Sequence, residues 1–340
     1  MNARTMLIGI PAAIVGVVVL IPIAVVTVLL LGVTSFTRFV EKRFGGAERA
    51  APWQDFVEFE PTVGWRLKAN LDAYGRADDL FRISTGADGW RGQMPIEDAD
   101  VVVFGDSYAF GHGADDGRMY SDLAGTLRVK PIGSDGYDMV QALLWMERYE
   151  RELAGKRVVW FVYYGNDLWE NLLPAMGHYR KPYVRQSEHG GWEIAADHVT
   201  VEPWPFPASR SYHEPLAEIC SDTSLSRRVQ SSCRGLIERA QRVCVSAGAD
   251  LTIVGVPDRI QLTARGAAKL ESLAPKGAFR GALHPDRFLE DICEDLGIGF
   301  EPLSRHLTER DYLLQDIHWR PSGHRKVGAL IQSLASNDAN

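Results

Sequence analysis

Apolar and polar positions divide the 340-residue chain into two unlike parts. Over residues 6–32 no side chain is charged, and Thr27 is the one clearly polar residue. As a helix this run would be about 40 Å long, more than the roughly 30 Å hydrocarbon core of a bilayer. It predicts one membrane-spanning helix inside an N-terminal anchor, residues 1–37, with Pro11 and Pro22 as kinks that a lipid-embedded helix tolerates. The run is too long for the apolar region of a cleaved signal peptide. Residues 38–95 read as a connector followed by irregular or short β structure, rich in Gly, Asp and Arg with scattered aromatics.

Beyond residue 95 short apolar runs alternate with helical spacing. Residues 100–104, 157–164 and 251–256 are short, largely apolar runs closed by Gly or Pro, the pattern of strands buried on both faces. Helical spacing predicts helices over 118–128, 138–153, 225–245, 285–296 and 321–334, the last two opened by a proline in the first turn. Residues 174–215, rich in Pro, His and aromatics without a sustained period, read as a long loop insertion. Strands alternating with helices predict an α/β architecture with a mostly parallel sheet, occupying residues 96–335. In such sheets ligands sit beyond the C-terminal ends of the strands. The residues just after Phe104, Tyr164 and Val256 therefore carry the most interest.

Composition narrows the partners. Hydrophobic content of 46% and charged content of 24% are those of a globular protein. The net charge is −7, and the first 37 residues carry only Arg4, so the remainder is more acidic still. An acidic body is a poor ligand for a phosphate backbone, and no nucleic-acid partner is expected. Cys220, Cys233, Cys244 and Cys293 form no Cys-x-x-Cys pair, which argues against a structural zinc or a thioredoxin-like site. Cys220 and Cys233 are close enough in sequence to close a small disulfide loop, a weak pointer to an oxidising compartment. Against it, Arg38, Lys42, Arg43 and Arg49 follow the apolar run, and on the positive-inside rule they place the C-terminal body in the cytoplasm.

Four pieces of chemistry lie at the places the architecture favours. Gly105-Asp106-Ser107-Tyr108 follows the first strand. A serine entering a helix there can expose its hydroxyl beside free N–H groups, as a nucleophile requires. It is not a Gly-x-Ser-x-Gly elbow, since Ala109 stands where the second glycine would be. Gly165-Asn166-Asp167 follows the next strand, and the Asn166 amide can donate to a developing oxyanion. Gly133-Ser-Asp-Gly136-Tyr137 opens the helix at Asp138, where a glycine N–H can approach a substrate. Asp316-Ile317-His318-Trp319 supplies a histidine, the natural base for a serine, and a carboxylate to fix its tautomer. Taken singly, each has an ordinary alternative: a helix cap, an Asn/Asp turn, a βα turn, an exposed loop.

Together and in this order, Ser107, Gly136, Asn166 and His318 resemble the SGNH hydrolase superfamily, the GDSL-type esterases and lipases, over residues 96–335. The resemblance implies a three-layer, flavodoxin-like fold with a mostly parallel central sheet. It implies Ser107 as nucleophile, His318 as base, Asp316 as its carboxylate, and an oxyanion hole from the Ser107 N–H, the Gly136 N–H and the Asn166 amide. Gly133 is the rival for the glycine position, three residues away. The Asp-x-His-Trp ending, with Gly64-Trp-Arg66 and Gly89-Trp-Arg-Gly92 upstream, is similar to a membrane-anchored branch that adds or removes acetyl groups on bacterial exopolysaccharides. That branch implies a catalytic body outside the cytoplasm, which we set above the flanking charges.

The expected activity is therefore a carboxylic ester hydrolase acting through an acyl-enzyme on an acylated carbohydrate or a small ester, with no cofactor and no metal. The alternatives are a membrane-tethered O-acyltransferase supplied by a membrane acyl-donor partner, and a silent SGNH-like binding module. His112 is expected to pack the turn after the nucleophile, His324 to be structural, and Asp106 to hydrogen-bond around the nucleophile turn. Trp160, Tyr163 and Tyr164 read as core and rim ahead of a carbohydrate platform. Trp192, Trp204, Phe206 and Tyr212 in the insertion are the better candidates for stacking on a sugar.

Overall fold

The computed structural model describes residues 50–188, 190–202 and 212–336. The expected membrane span over 6–32 lies outside the described residues, as do Trp204 and Phe206. Among the described residues no helix is long and apolar enough to cross a membrane.

Two antiparallel hairpins come first: β1 (Val57–Glu60) with β2 (Gly64–Leu67), and β3 (Asp72–Arg76) with β4 (Leu80–Ser84). The α/β body follows. In chain order it comprises β5 (Val101–Gly105), α1 (Ser107–Phe110), β6 (Val129–Gly133), α2 (Met139–Arg148), β7 (Arg157–Tyr163) and α3 (Asp167–Glu170). Two small hairpins interrupt it, β8 (Ala175–Met176) with β9 (Tyr179–Arg180) and β10 (Tyr183–Gln186) with β11 (Trp192–Ala195). Then come α4 (His213–Ile219), α5 (Ser224–Ala247), β12 (Asp250–Val256), α6 (Ala264–Leu273), α7 (His284–Leu296), β13 (Gly299–Pro302) and α8 (Pro321–Ser336).

Five strands form one sheet in the order β6-β5-β7-β12-β13, every neighbouring pair parallel. Numbered along the chain this is 2-1-3-4-5, the flavodoxin-like doubly wound order. The alternation of side chains assigns each face its cover. Val102, Phe104, Val158, Trp160, Val162 and Ile253 join α2, α5 and α7 in one cluster. Val101, Val103, Val159, Phe161, Val254 and Val256 join Tyr120, Trp319 and α8 in the other. Both faces are buried, which is why these strands read as continuous apolar runs. The strand order reverses between β5 and β7, so the segments after Gly105 and Tyr163 flank the switch-point crevice.

Local chemistry sets the helix ends. Asp138 caps α2 in a capping box with Gln141. Thr223 caps α5, and Gly248 ends it in a left-handed turn.

Four expectations change. Residues 118–128 form turns and not a helix: Gly117 and Gly125 both take positive φ, and the Asp122 carboxylate accepts from the Met119 N–H. Helix α2 stops at Arg148 instead of reaching 153. The insertion carries the two hairpins, β8–β9 and β10–β11. Cys220 and Cys233 are buried free thiols: the Cys220 Sγ–H donates to the Ala282 carbonyl, and Cys233 Sγ lies against Met139 Sδ.

The segment ahead of the sheet is packed into the same body. Trp65, Phe81 and Trp90 are each about 1–2% exposed and belong to the core cluster of α2 and α5. The Tyr137 hydroxyl donates to the Trp65 carbonyl, tying β2 to the turn that precedes α2.

Candidate active site

The switch-point crevice gathers residues from across the chain. Ser107 opens α1 directly after β5, with Asp106 as N-cap, its Oδ1 accepting from the Tyr108 N–H. Ser107 Oγ lies 2.7 Å from His318 Nε2 and 3.3 Å from Asp106 Oδ2. His318 Nδ1 lies 2.5 Å from Asp316 Oδ1, which also accepts from the His318 backbone N–H at 3.0 Å. One carboxylate oxygen thus grips both the ring and the backbone of the residue two positions on. The Tyr108 hydroxyl donates to the Ile317 carbonyl, closing the last loop onto α1.

The electrostatics suit a neutral base beside an ionised acid. Burial drives the His318 imidazole below its usual range, the nearby His112 adds to that, and Asp316 opposes both. Burial pushes the Asp316 carboxyl up, but the hydrogen bond and charge of His318, with His112 behind them, hold it well below the usual carboxylate range. Asp106 is different. Buried beside Ser107, it is pushed up to about 7.

Donors converge on the same crevice. Gly136 takes φ +75° in the turn before α2. Among the described residues no acceptor is paired with the N–H of Ser107 or of Gly136. Gly133 ends β6 against the nucleophile turn: a Cβ there would lie 2.6 Å from the Asp106 carbonyl oxygen and 2.9 Å from that of Gly105. Its role is close packing of strand on turn. A Cβ on Gly136 would meet Met176 Cε, so the insertion is seated on this glycine. Asn166 caps α3 after β7, and its Nδ2 donates to Glu170 Oε2 at 3.2 Å. That bond uses one amide proton and leaves the other. Burial raises Glu170 to about 7, against the pull of Lys181.

Buried cations from outside the sheet brace both sides. Arg91, 2% exposed, donates to the carbonyls of Arg82, Phe110, Gly111 and Ala114 and pairs with Asp116. It therefore fixes the loop that follows α1. Lys181, wholly buried, pairs with Asp138 and donates to the carbonyls of Glu170 and Leu173. It therefore pins the insertion to the cap of α2.

Trp160, Tyr163 and Tyr164 are core, and the Tyr163 hydroxyl donates to Asp258. His324 is buried between Trp319 and Tyr120 with neither ring nitrogen paired, and burial pushes it down to about 3. Trp192 is half-buried, its indole N–H donating to Ser231. Tyr212 is exposed, beside Trp169.

Sequence reasoning missed His112. Its ring stacks on that of His318 at 4.4 Å, with Nδ1 2.8 Å from Asp135 Oδ2 and Nε2 3.9 Å from Asp316 Oδ2. The one signal in the sequence is its setting between Gly111 and Gly113, both at positive φ. His112, Asp316 and His318 are the one cluster among the described residues with three metal-type donor atoms within 4.8 Å of one another. Both nitrogens of His318 are engaged by Ser107 and Asp316, while His112 meets Asp316 only at 3.9 Å and is hydrogen-bonded to Asp135 instead.

No family model matches the chain, and no curated protein matches it. Solved structures to which it is similar include a carbohydrate acetylesterase family member from Sinorhizobium meliloti, 12% identical, covering 70% of this chain and 97% of that one at a TM-score of 0.40. A member of the lipolytic G-D-S-L family from Veillonella parvula is 10% identical, covering 70% and 96% at 0.40. The inhibitor-bound aryl esterase of M. smegmatis is 8% identical, covering 70% and 98% at 0.41. At this distance what the chain does rests on the geometry of Ser107, His318 and Asp316.

Proposed function

We propose that this chain is a serine ester hydrolase of the SGNH type. The observation that carries the reading is the continuous contact from Ser107 Oγ through His318 Nε2 and Nδ1 to Asp316 Oδ1, at 2.7 and 2.5 Å. In the proposed reaction His318 Nε2 takes the Ser107 proton as Oγ attacks the ester carbonyl. The C=O π pair moves onto oxygen, held by the Ser107 and Gly136 N–H groups and the free Asn166 amide proton. Collapse of the tetrahedral adduct breaks the C–O bond, and the leaving alkoxide takes the proton from imidazolium. Water then repeats the sequence on the acyl-serine, releasing the acid. Asp316 stays ionised throughout and stabilises the imidazolium.

The substrate we assign is an O-acyl, in particular O-acetyl, group on a glycan or small alcohol, and no nucleic acid. The Asp316-x-His318-Trp319 ending and the paired Gly-Trp-Arg segments support it. The apolar run over 6–32 supports a membrane tether with the catalytic body outside the cytoplasm. A small chromogenic acetate ester tests the chemistry. Turnover that disappears in Ser107→Ala supports the reading, and turnover retained in that variant overturns it. Acetylated product formed only when a sugar acceptor is added would move the reading to an O-acyltransferase using the same site.

A further inference from the structure

The stacked pair His112–His318 is more than packing. Two imidazoles lie face to face at 4.4 Å and share one carboxylate: Asp316 Oδ1 faces His318 Nδ1, and Asp316 Oδ2 faces His112 Nε2. The far nitrogen of His112 is held by Asp135 at 2.8 Å, the residue just before Gly136. His112 therefore touches three separate parts of the site: the nucleophile segment on which it sits, the oxyanion turn and the loop of the base. We propose that His112 is a positioning residue carried as an imidazolium between Asp135 and Asp316, joining the oxyanion turn to the base and keeping the proton off His318. The proposal rests on the hydrolase reading above.

Charge balance favours this assignment of the proton. Asp135 and Asp316 flank His112, while Phe81 and Phe110 cover its ring and the more distant Arg91 opposes its charge. Burial works against the charge, yet the two carboxylates prevail and raise the His112 imidazole above its ordinary value. His318 faces Asp316 with one nitrogen, Ser107 with the other, and the Tyr108 ring and His112 on its faces, with the charge of Asp135 further out. Two stacked rings at this distance repel if both are charged. The ring with two carboxylates keeps the proton, and the ring that must accept the serine proton stays neutral. A fixed cation there also counters the negative charge of Asp135 beside Gly136, where an oxyanion would form.

Two measurements test this. The first uses the wild-type chain and needs no turnover: the imidazole signals of His112 and His318 are followed by NMR from pH 4 to 9. His112 protonated while His318 is neutral supports the proposal; the reverse order overturns it. The second is the pH profile of kcat/KM for a small acetate ester in wild type and His112→Gln. Removing the cation raises the value of His318, so the acid limb moves up by about one pH unit, a loss of about tenfold below the limb. The fall lies in kcat with KM little changed. A lower but unshifted profile overturns the proposal. Should His112→Gln not fold, the NMR order decides alone. Should Ser107→Ala retain turnover, the hydrolase reading fails while the order of titration still stands or falls by itself.

Discussion

Two buried cations brace the two sides of the crevice, and they do it differently. On the side of Ser107, Arg91, from the segment ahead of the sheet, spreads its donors over four backbone carbonyls and meets one half-buried carboxylate, Asp116. On the side of Gly136 and Asn166, Lys181, from the insertion, meets a fully buried carboxylate, Asp138, which also caps α2. Arg91 works as a clamp on irregular backbone, satisfying carbonyls that a loop would otherwise leave unpaired. Lys181 works as a pin between two elements, and its partner already has a second task. The doubly wound sheet brings Ser107 and Asn166 to the crevice, and these additions hold the crevice in shape.

The largest effect separates the chemistry from its bracing. Ser107→Ala and His318→Gln are each expected to lower kcat/KM on a small acetate ester by about 10⁴-fold or more, and the double variant no further. Thermal melts should be nearly unchanged, which distinguishes these residues from the braces. Next come the braces. Arg91→Met and Lys181→Met are each expected to cost about 3–5 kcal/mol, the first because several buried carbonyls lose their donor, the second because a buried carboxylate loses its counter-charge. Urea unfolding reads this directly. Adding Asp138→Asn to Lys181→Met should recover part of the loss, since Asn still caps α2 and no lone charge stays buried. Arg91→Met has no such partner change, because its acceptors are mostly backbone. An equal rescue on both sides would erase the contrast.

Asn166→Ala is expected to lower kcat by 10²–10³, about 3–4 kcal/mol, with KM little changed. A smaller term is pH-dependent. The buried His324 ring sits at about 3 in the folded chain against 6.5 when free. Between those values the unfolded state binds more protons, so stability is complete above pH 6.5 and falls as the pH drops. The slope approaches about 1.4 kcal/mol per pH unit. His324→Gln should flatten that part of the acid limb in chemical unfolding at stepped pH. The smallest effect concerns the insertion. Trp192→Ala should leave turnover of a small ester unchanged while weakening an acylated glycan, if this ring stacks on sugar.

The legible part of the molecule is the part buried on both faces. Strands β5, β7 and β12 are marked by apolar runs, and the ends of β5 and β7 pointed to Ser107 and Asn166. Asp316 and His318 lie two residues apart, so their contact is local, while Ser107 reaches His318 across 211 positions. Strand β6 was hidden because Lys130 and Pro131 interrupt its pattern. Proline is tolerated there because β6 is an edge strand, and Lys130 Nζ finds Asp88 at 2.8 Å. The turns over 118–128 passed as a helix because the apolar spacing outweighed Gly117 and Gly125. His112 reads as local packing from sequence, since its partners Asp135 and Asp316 lie in other blocks of the chain. Arg91 and Lys181 look like ordinary surface cations until their carbonyl acceptors are assembled around them.

The most direct test is to trap the acyl-enzyme. A slowly hydrolysed activated ester, followed by peptide mass spectrometry, should place a single acyl group on Ser107, and His318→Gln should abolish the adduct. No adduct on Ser107, or acylation that persists without His318, would contradict the proposed nucleophile and base.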